Sequence, residues 1–156
     1  MLVSKAIERV RAAMHDVTEE YDDEECLLAL NTAAHEIAAL LIAGRAPILA
    51  KEEEFVNGAQ LPEGFFKTAG TYPVKITGDT MTFLDDKESM VIRYFAMPAE
   101  MTLDEDSCLP FRHSLLNSLV LKVAEKMLLN ENEFDITQDT AIQQEIMQAI
   151  QQGWAG

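Results

Sequence analysis

The sequence predicts an α+β protein, mainly an α-helical bundle of about four helices with a small antiparallel β-sheet inserted between helices 2 and 3. Three observations predict this class. Apolar residues recur at helical spacing towards both ends of the chain. Five of the seven glycines and three of the five prolines fall within residues 44–78. Residues 73–96 contain strand-like runs separated by turns, and 156 residues suit a single domain.

Residues 1–46 are predicted to form a helical pair. The first helix covers residues 3–15, whose apolar positions share one face. Thr18 precedes a run of acidic residues and is the predicted N-cap of the second helix. That helix runs over residues 24–43, and its wide apolar stripe is typical of the buried centre of a bundle. Gly44 then ends it.

Residues 47–97 are predicted to be the β insertion. Two strands, 73–77 and 80–84, flank Gly78 and Asp79, which is the pattern of a tight hairpin. Residues 89–96 form a third strand of the same sheet after a looser turn. Residues 48–56 are a weaker candidate for a further strand.

Residues 98–136 are predicted to hold the third helix and a joint, and residues 137–156 the last helix. Pro110 marks the entry to helix 3, whose apolar positions run from Phe111 to Leu128. The last helix has a narrow apolar stripe, formed by Ile142, Ile146, Met147, Ile150 and Trp154.

The stripe on the last helix has two interpretations. Its opposite side carries mainly glutamines, which cost less to desolvate than charges, so a partner can cover this helix on both sides. Trp154 is then a binding anchor. Alternatively, the helix folds back onto its own bundle, and Trp154 caps the core.

The net charge excludes several classes of function. Twelve basic and 27 acidic residues give −15, whereas gripping nucleic-acid phosphates or an anionic membrane surface requires a basic face. The uninterrupted apolar runs are far shorter than the roughly 20 residues that span a bilayer. Two cysteines, Cys26 and Cys108, lack a Cys-x-x-Cys spacing, which favours a reducing, cytosolic setting.

The sequence holds little that indicates catalysis. Its histidines, His15, His35 and His113, are far apart, and His35-Glu36 lacks the second histidine of a zinc-protease motif because position 39 is alanine. A thiol enzyme would require Cys108 and His113 in contact. We therefore expect no enzyme activity, no cofactor and no metal site.

Several segments, taken in order, resemble a known family. Residues 57–65 read Asn-Gly-Ala-Gln-Leu-Pro-Glu-Gly-Phe, and residues 92–98 read Ile-Arg-Tyr-Phe-Ala-Met-Pro. Residues 102–110 form an acidic linker that ends in Leu-Pro, and residues 132–135 read Asn-Glu-Phe-Asp. Together with the helical pair, this set resembles the head–tail connector (adaptor) proteins of tailed bacteriophages. The likeness covers nearly the whole chain. At residues 60–62, which read Gln-Leu-Pro, the spacing is shorter than the family's usual spacing between Gly-Gln and Leu-Pro.

The resemblance implies a non-enzymatic structural protein of the virion neck, assembled in the host cytoplasm. Residues 1–156 would be one connector domain that forms a ring with itself, typically of twelve copies, below the portal protein. The C-terminal docking helix would bind the portal, the other end would receive a tail or nozzle protein, and the genome would pass through without specific binding. The strands would contact neighbouring subunits through Val74, Ile76, Met81, Phe83, Ile92 and Tyr94.

Other functions stay open at this point. The main alternative is an acidic DNA mimic that inhibits a nucleic-acid-binding protein, which net −15 suits. A mimic should display its acids in phosphate-like rows, whereas here they are scattered between apolar faces. A generic helical scaffold is supported by the helix pattern alone.

Overall fold

The computed structural model describes residues 1–15, 20–130 and 133–153, and it confirms the α+β class. Four α-helices surround one core, and six short strands lie between the second and third helices in sequence. The elements are α1 (Val3–Ala13), α2 (Asp23–Ala43), β1 (Ala50–Val56), β2 (Ala59–Gln60), β3 (Phe65–Thr68), β4 (Val74–Thr77), β5 (Thr80–Phe83), β6 (Ser89–Ala96), α3 (Ser114–Asn130) and α4 (Thr140–Gln151). Short 3₁₀ turns at Pro47–Leu49 and Ile136–Gln138 precede β1 and α4.

Helix α2 is the centre of the bundle, as its wide stripe predicts. Its buried residues include Leu30, Ile37 and Leu41, which share one core cluster with residues of α1, α3 and α4. Asp22 caps the helix by accepting a hydrogen bond from the Glu25 N–H at 2.7 Å. The predicted cap, Thr18, lies outside the described residues, and the capping position belongs to Asp22.

The segment between β6 and α3, residues 97–113, has a turn at residues 105 and 106 and forms no helix or strand, and two asparagines hold it against the bundle; we call it the connecting segment. Asn31 on α2 accepts from the Met101 N–H at 2.7 Å and donates to the Met101 carbonyl at 3.1 Å. Asn117 on α3 makes the same pair of bonds with Phe111, at 3.3 and 2.6 Å. Each amide thus satisfies both backbone groups of one residue, as a neighbouring strand would. A β-bridge between Leu2 and Cys108 ties the segment to the N-terminus.

The predicted single sheet is wrong in one respect, because the strands form two three-stranded antiparallel sheets. One sheet has the order β1-β6-β3 and the other the order β2-β5-β4. The β4–β5 hairpin is confirmed with Thr77 opposite Thr80, and Gly78 has φ of 61°, as a two-residue turn requires. Strand β6 does not extend this hairpin. It pairs with β1 and β3, so the weaker candidate strand is one of its two neighbours.

The two sheets enclose a second core, separate from that of the helices. Its buried members are Phe55, Met81, Phe83, Ile92, Tyr94 and Ala96. Tyr94 lies at its centre, 5.8 Å from the Phe55 ring in an edge contact and 5.2 Å from the Phe65 ring in a stacked one. The chain therefore folds as a helical part and a β part, each with its own apolar interior.

The last two helices begin later than predicted. Helix α3 starts at Ser114, and Phe111 is buried in the connecting segment before it. Helix α4 starts at Thr140, where Asp139 accepts from the Ile142 N–H at 3.1 Å and also binds the Lys126 ammonium. These two bonds hold the pKa of Asp139 below its usual range, so the cap is charged at neutral pH.

Candidate interaction surfaces

The residues singled out for chemistry have structural partners. His35 Nε2 lies 3.0 Å from the Pro98 carbonyl and so helps to hold the connecting segment. The exposed Cys108 thiol donates to the Asp106 carbonyl at 3.5 Å, and His113 Nδ1 accepts from the Leu115 N–H at 3.3 Å. Within residues 1–15, 20–130 and 133–153, no three His, Cys, Asp or Glu side chains are grouped to hold a metal ion.

An open cleft with a volume of about 830 Å³ lies where the helical and β parts meet. Its apolar wall includes Pro47, Met97 and Phe111, and its charged residues are Lys51, Glu63 and Arg112. Two cations and one carboxylate on separate segments do not form an acid–base pair or a ligand cage.

One half-buried carboxyl group, that of Glu36 on α2, lies near the joint before α4. Burial, together with the neighbouring carboxylate of Asp135, raises the pKa of Glu36 above its ordinary value of 4.5. Asp135 itself accepts from the Thr137 hydroxyl and N–H, which lowers its pKa and keeps it charged. Glu36 is thus a carboxyl group that the fold prefers uncharged.

Replacing Glu36 by glutamine is expected to stabilise the protein at neutral pH, by less than about 1 kcal/mol because the site is partly solvated. A raised folded-state pKa means that the folded chain binds this proton more tightly than the unfolded chain. The stabilisation of the folded chain by this tighter proton binding is fully present below pH 4.5, and it is lost as the pH rises through the folded-state pKa of Glu36. Urea unfolding at pH 4 and pH 7 should show the gain at pH 7 alone.

The matched control for this change is Glu100→Gln, at an exposed position of the connecting segment. It should leave the free energy of unfolding unchanged at both pH values. A Glu36→Gln variant that is less stable than the parent at pH 7 would contradict the assignment of an unfavourable, partly buried charge.

Most of the predicted portal-docking stripe packs against other residues of the same chain. Ile142 and Ile146 are 1% and 2% exposed and belong to the helical core. Ile150 is half-buried and lies against Gly44. A Cβ atom added to Gly44 would lie 2.3 Å from the Ile150 Cδ1 atom. Met147 is 58% exposed. Trp154 lies outside the described residues. The described part of α4 thus matches the alternative in which the helix folds back, leaving Met147 as the accessible apolar residue of the predicted set.

The predicted inter-subunit strand residues are also mostly interior. Met81, Phe83, Ile92 and Tyr94 fill the β core, and half-buried Val74 packs against it. Burial and the nearby Glu53 carboxylate raise the pKa of Tyr94, as expected for an interior phenol. Ile76 is 41% exposed. A neighbouring subunit would therefore meet the edges and outer faces of the sheets rather than these inner-face side chains.

The sequence pattern did not predict which large apolar side chains the fold leaves exposed. In the β part these are Val56, Phe66, Leu84 and Val91, each at least half exposed. On the helices they include Leu28, Leu115 and Leu129. The available signal was an apolar residue out of phase with its element, such as Val56 following the buried Phe55. Single exposed apolar side chains are common on protein surfaces, whereas a contiguous patch of them marks a contact surface.

Helix α2 also has the length and composition of a membrane-crossing helix, and it is the one such helix in the described part of the chain. Half of its most apolar stretch is buried inside the bundle. Packing against the other helices accounts for this apolar character, since central helices of bundles are apolar on most sides.

Comparison with models of known protein families gives no match, and no curated protein is similar enough to count as a relative. The function must therefore be inferred from the residues and the fold.

Proposed function

We propose that the protein is a structural virion component, a head–tail connector that forms a ring below the portal, joins the capsid to the tail and lets the genome pass. The observation that carries this proposal is the division of the chain into a four-helix part and a β part inserted between α2 and α3. This order matches the element order that the resemblance implies. Two parts with separate cores provide separate surfaces, which a protein that contacts several partners requires.

The charge supports the same role. With 12 basic and 27 acidic residues, copies arranged around a channel would repel DNA, so the genome would slide instead of binding. The proposed setting is the neck of the virion, after assembly in the host cytoplasm. The proposed partners are further copies of this chain, a portal protein and a tail or nozzle protein, with no enzymatic step.

The test is the native mass of the purified protein, alone and mixed with the portal protein encoded in the same genome. We expect a ring-sized complex with the portal, and expect Met147→Glu or Trp154→Ala to weaken it. Met147 is 58% exposed, so Met147→Glu should leave the helical core folded. Gln144→Glu, at an exposed position elsewhere on α4, is the matched control and should bind normally.

Two outcomes would overturn the proposal. One is no association with the portal at low and moderate salt. The other is tight, strongly salt-sensitive binding to a basic nucleic-acid-binding protein, which the DNA-mimic alternative predicts.

A further inference from the structure

Within residues 1–15, 20–130 and 133–153, no further strand pairs with either edge of the β1-β6-β3 sheet, so both edges are open. Strand β6 lies in the middle and is paired on both sides, whereas β1 and β3 are each paired on one side. Glu52 and Glu54 of β1 and Lys67 of β3 are exposed. An open strand edge offers a row of backbone donors and acceptors to another strand.

The register shows which backbone groups face outward. Asn57 N–H donates to the Glu88 carbonyl at 3.2 Å, so odd-numbered residues of this strand face β6. The N–H and C=O groups of Glu52, Glu54 and Val56 therefore point away from the sheet. On the other edge, Ala69 N–H donates to the Arg93 carbonyl at 2.8 Å, which turns the groups of Thr68 outward.

The two edges carry opposite charges on the same face of the sheet. Glu52 lies opposite Arg93, and Glu54 lies opposite Val91, so both glutamates share the outer face with the odd-numbered residues of β6. Lys67 lies opposite Phe95 and shares that face. The outer face is thus acidic at the β1 edge and basic at the β3 edge.

Each edge also carries an exposed apolar side chain. Val56 on β1 is 56% exposed, and Phe66 on β3 is 50% exposed. Phe66 is the extra residue where the β3–β6 register shifts between Phe65 and Lys67. A strand placed along either edge would remove these side chains from water.

Pairing of like edges is unfavourable. Two β1 strands side by side would bring glutamates together, and like charges on adjacent strands are destabilising. Glutamates on an edge strand therefore prevent this pairing. The β3 edge, with Lys67, offers the complementary charge.

We propose that neighbouring copies of this chain join edge to edge, with β1 of one copy lying beside β3 of the next. Both strands run antiparallel to β6, so they would run parallel to each other across the contact. The contact joins two different patches, and such head-to-tail contacts close into rings when the rotation permits. The inference rests on the proposed ring and names the surface that forms it.

The test uses two charge-reversed variants, E52K/E54K and K67E. In the first, both edges are basic, and in the second, both are acidic. A carbodiimide joins carboxylates to amines. Within either variant alone, positions 52, 54 and 67 carry the same charge and cannot be linked to one another. In the mixture, position 52 or 54 of one variant can be linked to position 67 of a chain of the other variant. We expect this link in the mixture, identified by peptide mass spectrometry, together with a mass increase that neither variant shows alone.

The matched control replaces K67E by K75E, since Lys75 is equally exposed but belongs to β4 of the other sheet. No link between position 52 or 54 and position 75 of the other chain should form above the level of random collisions. All four positions are exposed, so we expect each variant to melt at the same temperature as the native chain. That result would show that the charge reversals leave the fold intact.

Absence of the link to position 67 in the mixture would overturn the edge pairing. So would a link to position 75 with K75E that forms in the same yield as the link to position 67 with K67E. The proposed function would still stand if the native chain formed its complex with the portal. Conversely, links in the mixture without any portal complex would support the strand contact and remove the connector role.

Discussion

Replacing Asn117 by alanine is expected to lower the free energy of unfolding by about 3 kcal/mol. Asn117 is 6% exposed, and its side-chain amide bonds both the N–H and the carbonyl of Phe111. Alanine leaves both backbone groups buried without a partner, and each costs about 1–3 kcal/mol. Urea unfolding followed by circular dichroism measures the loss, with the midpoint falling at an unchanged slope.

Asn31 provides the matched comparison, because its amide makes the same two bonds with Met101. Those bonds are partly exposed, so water can replace the missing amide, and Asn31→Ala should cost about 1 kcal/mol. Equal losses at the two sites would contradict the account, since burial is the main difference between them. So would an Asn117→Ala variant as stable as the parent.

These asparagines also explain why the course of the connecting segment could not be predicted. Residues 97–113 have no hydrophobic period, and their order depends on side chains from α2 and α3, remote in sequence. The available signal was Asn117 itself, which interrupts the apolar run between Leu116 and Leu119. A polar residue on the core face of a helix requires a buried partner.

The helices and the hairpin could be predicted because their signals are local. A wide apolar stripe predicted the central position of α2, and Gly78-Asp79 predicted the β4–β5 turn. The partners of β6 could not be predicted, because pairing depends on long-range packing of its inner face. Strand β1 was a weak prediction for the same reason, since Glu52, Glu53 and Glu54 are poor strand formers and Phe55 is its one fully buried residue.

The surface of α4 shows a different limit. A stripe of Ile142, Ile146 and Ile150 satisfies a core and a partner equally well, so spacing alone does not separate the two. The structure assigns Ile142 and Ile146 to the core of the same chain. Met147, next to Ile146, is exposed and is available to a partner.

Replacing Ile142 by alanine is expected to lower the free energy of unfolding by about 3 kcal/mol, because the removed methyl groups leave a cavity in the helical core. Met147→Ala on the same helix should change it by less than about 0.5 kcal/mol, since Met147 is 58% exposed. Chemical unfolding of both variants measures the effect on core packing. Their binding to the portal protein, measured in parallel, shows the effect on docking. Met147→Ala should weaken binding without loss of stability. If Ile142→Ala instead left stability unchanged and abolished binding, Ile142 would serve the partner, and α4 would have to leave the bundle on assembly.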